Sequence, residues 1–125
     1  MKLKNKVVVV TGAASGIGLA TARAFAEAEA RVILTDFNIA AGEAAAADLK
    51  SGGDVRFMPL DVTDRASADA LAAGIEAEVG RLDVLVNAAG WDIIQPFMEN
   101  TPEYWAKIVA LNFMGPVQTT RALLP

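Results

Sequence analysis

The sequence predicts an α/β fold, a doubly wound parallel sheet whose first four strands lie in the order 3-2-1-4. Three observations predict it. Short runs rich in valine, isoleucine and leucine alternate with segments whose apolar residues recur at helical spacing. The short runs are apolar on both faces, as strands are when helices cover both sides of a parallel sheet. A glycine-rich stretch, Thr11-Gly-Ala-Ala-Ser-Gly-Ile-Gly18, follows the first run directly. This alternation implies parallel strands joined by right-handed crossovers.

Each element has its own signal. Lys6–Thr11 carries four consecutive valines and reads as a buried strand. Ile17, Ala20, Thr21, Ala24, Phe25 and Ala28 then share one helix face, with Arg23 and Glu27 opposite. Arg31–Asp36 is the second strand. Asn38 is placed to cap a second helix that runs through the alanine-rich stretch to about Lys50, where Gly52-Gly53 stop it. Asp54–Leu60 is the third strand. Thr63 or Asp64 caps the third helix, with Ala68, Leu71, Ala72, Ile75 and Val79 on one face and Gly80 at its end. Leu82–Asn87 is the fourth strand. Thr101-Pro102-Glu103 opens the last helix, which is expected to run to about Gln118. A fifth strand would be due at Ala122-Leu-Leu-Pro125, so the domain is expected to be cut before strand five, with residues 1–125 as its N-terminal part.

Composition narrows the chemistry. Hydrophobic residues make up 54% of the 125, enough for a core. The chain has no cysteine, which excludes thiolate chemistry within it and fits a reducing cytoplasm. It has no histidine, so it holds no Ser-His-Asp triad and no histidine-bound metal. A net charge of -4 without a basic run argues against nucleic acid. The four valines are too short a run to span a membrane.

The glycine stretch sits on the first strand-to-helix turn, where a backbone free of side chains admits a pyrophosphate. The helix behind it offers free N–H groups and a positive dipole end. In this reading Gly12 permits the turn, Gly16 the close approach and Gly18 the packing of helix on strand, while the Ser15 hydroxyl adds a donor. The spacing is G-x-x-x-G-x-G, which differs from the commoner G-x-G-x-x-G. Asp36 ends the second strand. A carboxylate there binds ribose hydroxyls and repels a 2′-phosphate. Phe37 stands where an arginine would favour the phosphate, so the pair predicts NAD.

Thr11–Gly18, Asp61-Val62, Asn87-Ala-Ala-Gly90 and Asn112 together resemble the short-chain dehydrogenase/reductase family, in order and spacing along the whole chain. The resemblance implies a Rossmann fold and a nicotinamide cofactor bound by Gly12, Ser15, Gly16, Ile17, Gly18, Asp36, Phe37, Asp61, Val62, Asn87, Ala88, Ala89 and Gly90. Asp61 would accept the adenine amino group and Val62 would offer its N–H. Asn87 would tie the fourth strand to its neighbours. The small residues Ala88, Ala89 and Gly90 would let a ribose lie against the backbone. Ala88 departs from the family's usual Asn-Asn-Ala-Gly. Asn112 resembles the catalytic asparagine, which holds a water in a proton relay. The resemblance further implies a homo-oligomer in which the last helix helps build an interface.

The family's general acid or base is a tyrosine in Tyr-x-x-x-Lys, assisted by a serine. Tyr104-Trp-Ala-Lys107 is one residue short and precedes Asn112, so Tyr104 reads as a first-turn helix residue. Ser15, Ser51 and Ser67 fall too early. The expected activity is hydride transfer between a secondary alcohol or ketone and NAD, with this chain as the cofactor half and inactive alone. A non-catalytic dinucleotide-binding module, or an interaction protein that keeps only the fold, is the alternative. Trp91 is expected either to meet the nicotinamide or a ring-shaped substrate, or to fold onto the core. A faint likeness of the Trp91 region points to hydroxyacyl-CoA or alicyclic alcohols. Phe97, Met98 and Trp105 are expected in the core or at an interface.

Overall fold

The computed structural model describes residues 2–124. Pro125, the last residue of the stretch where the sheet is expected to be cut, lies outside the described residues. Strands β1 (Val7–Val10), β2 (Arg31–Asp36), β3 (Val55–Pro59) and β4 (Val84–Val86) form one parallel sheet in the order β3-β2-β1-β4. This is the predicted Rossmann-type arrangement. β4 is shorter than the expected Leu82–Asn87, because the chain leaves the ladder after Val86 to form the site described below.

β1 supports both layers because its side chains alternate across the sheet. Val8 and Val10 pack with Val32 and Leu34 under Ala22 and Ala26 of α1 (Gly16–Glu27) and Ala46 and Leu49 of α2 (Ile39–Leu49). Val7, Val9 and Ile33 face the opposite layer, against Ala68, Leu71 and Ile75 of α3 (Arg65–Glu78). Caps fall where the sequence places them. The Asn38 side chain accepts the Ala41 N–H, and Asp64, of the two candidates, accepts that of Ala66.

The last helix differs from expectation. It is helical from Pro102 to Leu123, but in three parts: α4 (Pro102–Ile108), a wider π-helical segment over Val109–Met114, and α5 (Gly115–Leu123). Pro116 accounts for the break. It has no N–H to offer the Asn112 carbonyl four residues back, and its ring crowds that carbonyl, so the backbone opens upstream. Gly115 then lies against Val62, where a Cβ would stand 2.9 Å from the valine Cγ2.

Asp83 ties the amino ends of β1 and β4. Its carboxylate accepts the Val7 N–H at 2.8 Å and pairs with Arg81 at 2.5 Å. The Arg81 bond, and after it the Val7 amide, hold the Asp83 carboxyl below the usual carboxylate range. The stabilisation is therefore present above that range and lost as pH falls through the lowered folded value. Asp83→Asn should be less stable than wild type at neutral pH, with the gap closing on acidification in urea titrations at stepped pH.

The Thr119 hydroxyl on α5 is fully buried and has no hydrogen-bond partner among the described residues. Thr119→Val keeps the shape and removes the orphaned group. It should leave stability unchanged or raise it by about 1 kcal/mol in thermal denaturation.

Candidate functional site

The carboxyl ends of all four strands open into one cleft of about 870 Å³, within the range of ligand pockets. Among the lining residues are thirteen of the fourteen site positions expected from the sequence: Gly12, Ser15, Gly16, Ile17, Gly18, Asp36, Phe37, Asp61, Val62, Ala88, Ala89, Gly90 and Asn112, so that Asn87 alone stands outside the lining.

The glycine turn is built as its spacing requires. Gly12 has φ +60, and a Cβ on it would stand 2.6 Å from the Ala89 Cα, so a side chain is barred by conformation and by contact. A Cβ on Gly18 would stand 2.2 Å from the Gly12 carbonyl oxygen, which lets α1 sit down on the turn. Gly16 is the opposite case. Its φ is +57, but a Cβ there would meet nothing within 4 Å, so the space before it is open. Ser15 precedes the first turn of α1, and its hydroxyl makes no capping bond. First-turn amides have no intrahelical acceptor. Open space, uncapped amides and a positive helix end together fit an anion.

Asp36 is 8% exposed and is held from both sides. Its Oδ2 accepts the Ala14 N–H at 3.1 Å and its Oδ1 the Asn38 N–H at 3.0 Å. The carboxylate thus ties β2 to the glycine turn and keeps lone pairs for a ligand. Phe37 is exposed beside it. Asp61 serves the local turn through one oxygen, accepting the Thr63 N–H at 2.9 Å and the Thr63 hydroxyl at 2.6 Å. The Val62 side chain is buried under Gly115.

One role differs from the sequence reading. Asn87 does not bind a neighbouring strand through its side chain; its Nδ2 donates to the Thr120 hydroxyl of α5 at 3.2 Å. The tie between strand ends is made by Thr11, whose Oγ1 accepts the N–H groups of both Ala88 and Ala89 at 3.0 Å. Thr11 is fully buried, while its main-chain N–H donates to the Val86 carbonyl at 3.0 Å. In the sequence Thr11 stands at the head of the glycine stretch with no role of its own. Its signal was a β-branched hydroxyl at the end of an otherwise all-valine strand.

Asn112 lies in the π-helical segment, where it is exposed and caps no helix, and its side chain is engaged by the Trp91 main chain. Its Oδ1 accepts the Trp91 N–H at 2.9 Å, and its Nδ2 donates to the Trp91 carbonyl at 2.8 Å. This two-point clasp uses one N–H and one oxygen lone pair of the amide and leaves one of each. The Asn112 main-chain carbonyl also lacks the ordinary α-helical donor four residues on, because Pro116 has no N–H. Gly90 allows the approach, since a Cβ there would stand 3.3 Å from the Asn112 Oδ1.

Trp91 lines the cleft and does not fold onto the core. Its ring lies 5.7 Å from that of Tyr104, and the Lys107 Nζ stands 3.9 Å from its centroid. The Tyr104 hydroxyl donates to Asp92, and that bond holds the phenol above its ordinary value. This is the wrong direction for a general base at neutral pH. Phe97, Met98 and Trp105 are exposed rather than in the core, Phe97 and Trp105 stacking on each other at 6.2 Å.

Fold and cleft define a Rossmann-type α/β protein with an open cleft at the carboxyl edge of its sheet. The family model for short chain dehydrogenase matches residues 6–125, and the chain belongs to that family. Galactitol 2-dehydrogenase of Agrobacterium fabrum is 39% identical over 98% of this chain and 47% of its own length. D-threitol dehydrogenase of Mycolicibacterium smegmatis is 44% identical over 91% of this chain and 44% of its own length. A crystal structure of a short chain dehydrogenase from Mycobacterium smegmatis superposes with a TM-score of 0.91 at 35% identity, covering 97% of this chain and 51% of that one. The chain thus spans about half the length of the relatives it matches. No helix among the described residues is long and apolar enough to cross a membrane.

Thr11→Val should leave the amides of Ala88 and Ala89 without their acceptor and cost about 1–3 kcal/mol in denaturant unfolding. Thr11→Ser should recover most of the loss, because the hydroxyl is what the amides use.

Proposed function

We propose that the protein containing this chain is an NAD-dependent oxidoreductase acting on a secondary alcohol or its ketone, and that residues 1–125 form its cofactor-binding half. The observation that carries the reading is the pairing, in one cleft, of an open helix N-terminus at Ser15–Gly16 with the fixed carboxylate of Asp36. The bound nicotinamide would supply or accept the hydride. The chain's own residues bind and orient. The first-turn amides of α1 and the Ser15 hydroxyl hold a diphosphate, Asp36 holds the adenosine ribose, and Asp61 and Val62 flank the adenine. Ala88, Ala89 and Gly90 leave room along β1 for the second ribose.

The proton requires a group tuned toward neutral pH, and Tyr104 is tuned away from it. We therefore place the serine and the Tyr-x-x-x-Lys outside these 125 residues, with Asn112 contributing through its main chain. Half-length matches to polyol dehydrogenases support this division and the alcohol substrate. Alone, the 125 residues should show no alcohol-dependent formation of NADH. Trp105, Val109, Phe113 and Val117 recur at four-residue spacing and are exposed along α4, the π-helical segment and α5. This apolar stripe supports assembly into a homo-oligomer through that helix.

Asp36→Asn keeps a hydrogen-bond acceptor but removes the charge. Fluorescence titration of the full-length protein should show its preference for NAD over NADP falling about tenfold. An unchanged preference would remove Asp36 as the selector.

A further inference from the structure

The charged side chains that line the cleft are Asp36, Asp61, Asp92 and Lys107. Three are carboxylates, so Lys107 is the one cationic side chain of that wall. Among the described residues it pairs with no carboxylate, and unlike Lys2, Lys50, Arg65 and Arg121, which also form no ion pair, it lines the cleft.

Lys107 is nevertheless held in place. Its ammonium lies over the Trp91 indole at 3.9 Å, a cation–π distance. The indole is itself anchored, because the Asn112 amide takes both main-chain groups of Trp91 and the Tyr104 ring packs beside it. Asp92 next to it is turned toward Tyr104 and the Ile93 N–H. The result is an ammonium on a fixed platform, at the α4 side of a cleft otherwise lined by negative groups.

A diphosphate entering this cleft meets the dipole end of α1, equivalent to about half a positive charge. It also meets three carboxylates. We propose that Lys107, held over Trp91, supplies the missing positive charge and steadies the diphosphate of the bound dinucleotide from the α4 wall. The assignment rests on the dinucleotide reading above and adds to it an ionic contact outside the glycine turn. It also gives Trp91 a part in cofactor affinity, as the platform for the cation.

The test is calorimetric titration of the full-length protein with ADP-ribose, which carries the diphosphate, and with adenosine, which does not. Lys107→Met should weaken ADP-ribose about fivefold at low ionic strength and leave adenosine unchanged. The loss should shrink as salt is raised, because salt screens the charge. Lys107→Arg should restore wild-type affinity. Equal losses for both ligands would mean that Lys107 only supports the Trp91 wall, and would overturn the proposal. So would affinities that do not change, or a loss that ignores salt. A wild-type protein that binds neither ligand would instead overturn the cofactor reading itself.

Discussion

The contact on which the rest depends is the junction of β1 and β4 at their carboxyl ends. There the Thr11 hydroxyl collects the amides of Ala88 and Ala89, and Gly12 lies against Ala89 with no room for a side chain. The junction lets two neighbouring strands diverge without leaving buried N–H groups unpaired. Their divergence opens the crevice in which ligands of such sheets bind. The glycine turn, the carboxylate of Asp36 and the small residues after β4 acquire a common ligand space only because this corner is closed.

Around that corner the protein repeatedly uses one group for two purposes. Asp36 joins β2 to the glycine turn and keeps lone pairs toward the cleft. Asn112 stands in the last helix and also clasps the Trp91 backbone with its amide. Trp91, fixed in this way, becomes the surface on which Lys107 rests. The residues that line the cleft are therefore held by the same hydrogen bonds that join the elements of the fold.

Much of this was legible in the residues. The strand order and the glycine turn follow from periodicity and from the position of Gly12, Gly16 and Gly18, which are local signals. The caps at Asn38 and Asp64 are local as well. The roles of Thr11, Asn87 and Asn112 are not, because each acts on a partner more than twenty residues away whose position only the folded sheet determines. The π-helical segment had a visible sign in Gly115-Pro116, although apolar spacing alone reads through it as one continuous helix. Phe97, Met98 and Trp105 look like core by hydrophobicity, and composition cannot tell a core from a face that awaits a partner.

Asp36 is at once a strut and, on the proposed reading, a selector. Removing its carboxylate to admit a phosphorylated coenzyme would also take from the amides of Ala14 and Asn38 the acceptor that holds β2 to the glycine turn. A lineage changing its coenzyme would first have to find those amides other acceptors. Preference and foldability are therefore inherited together at this position, and the path between the two coenzymes runs through coordinated substitutions.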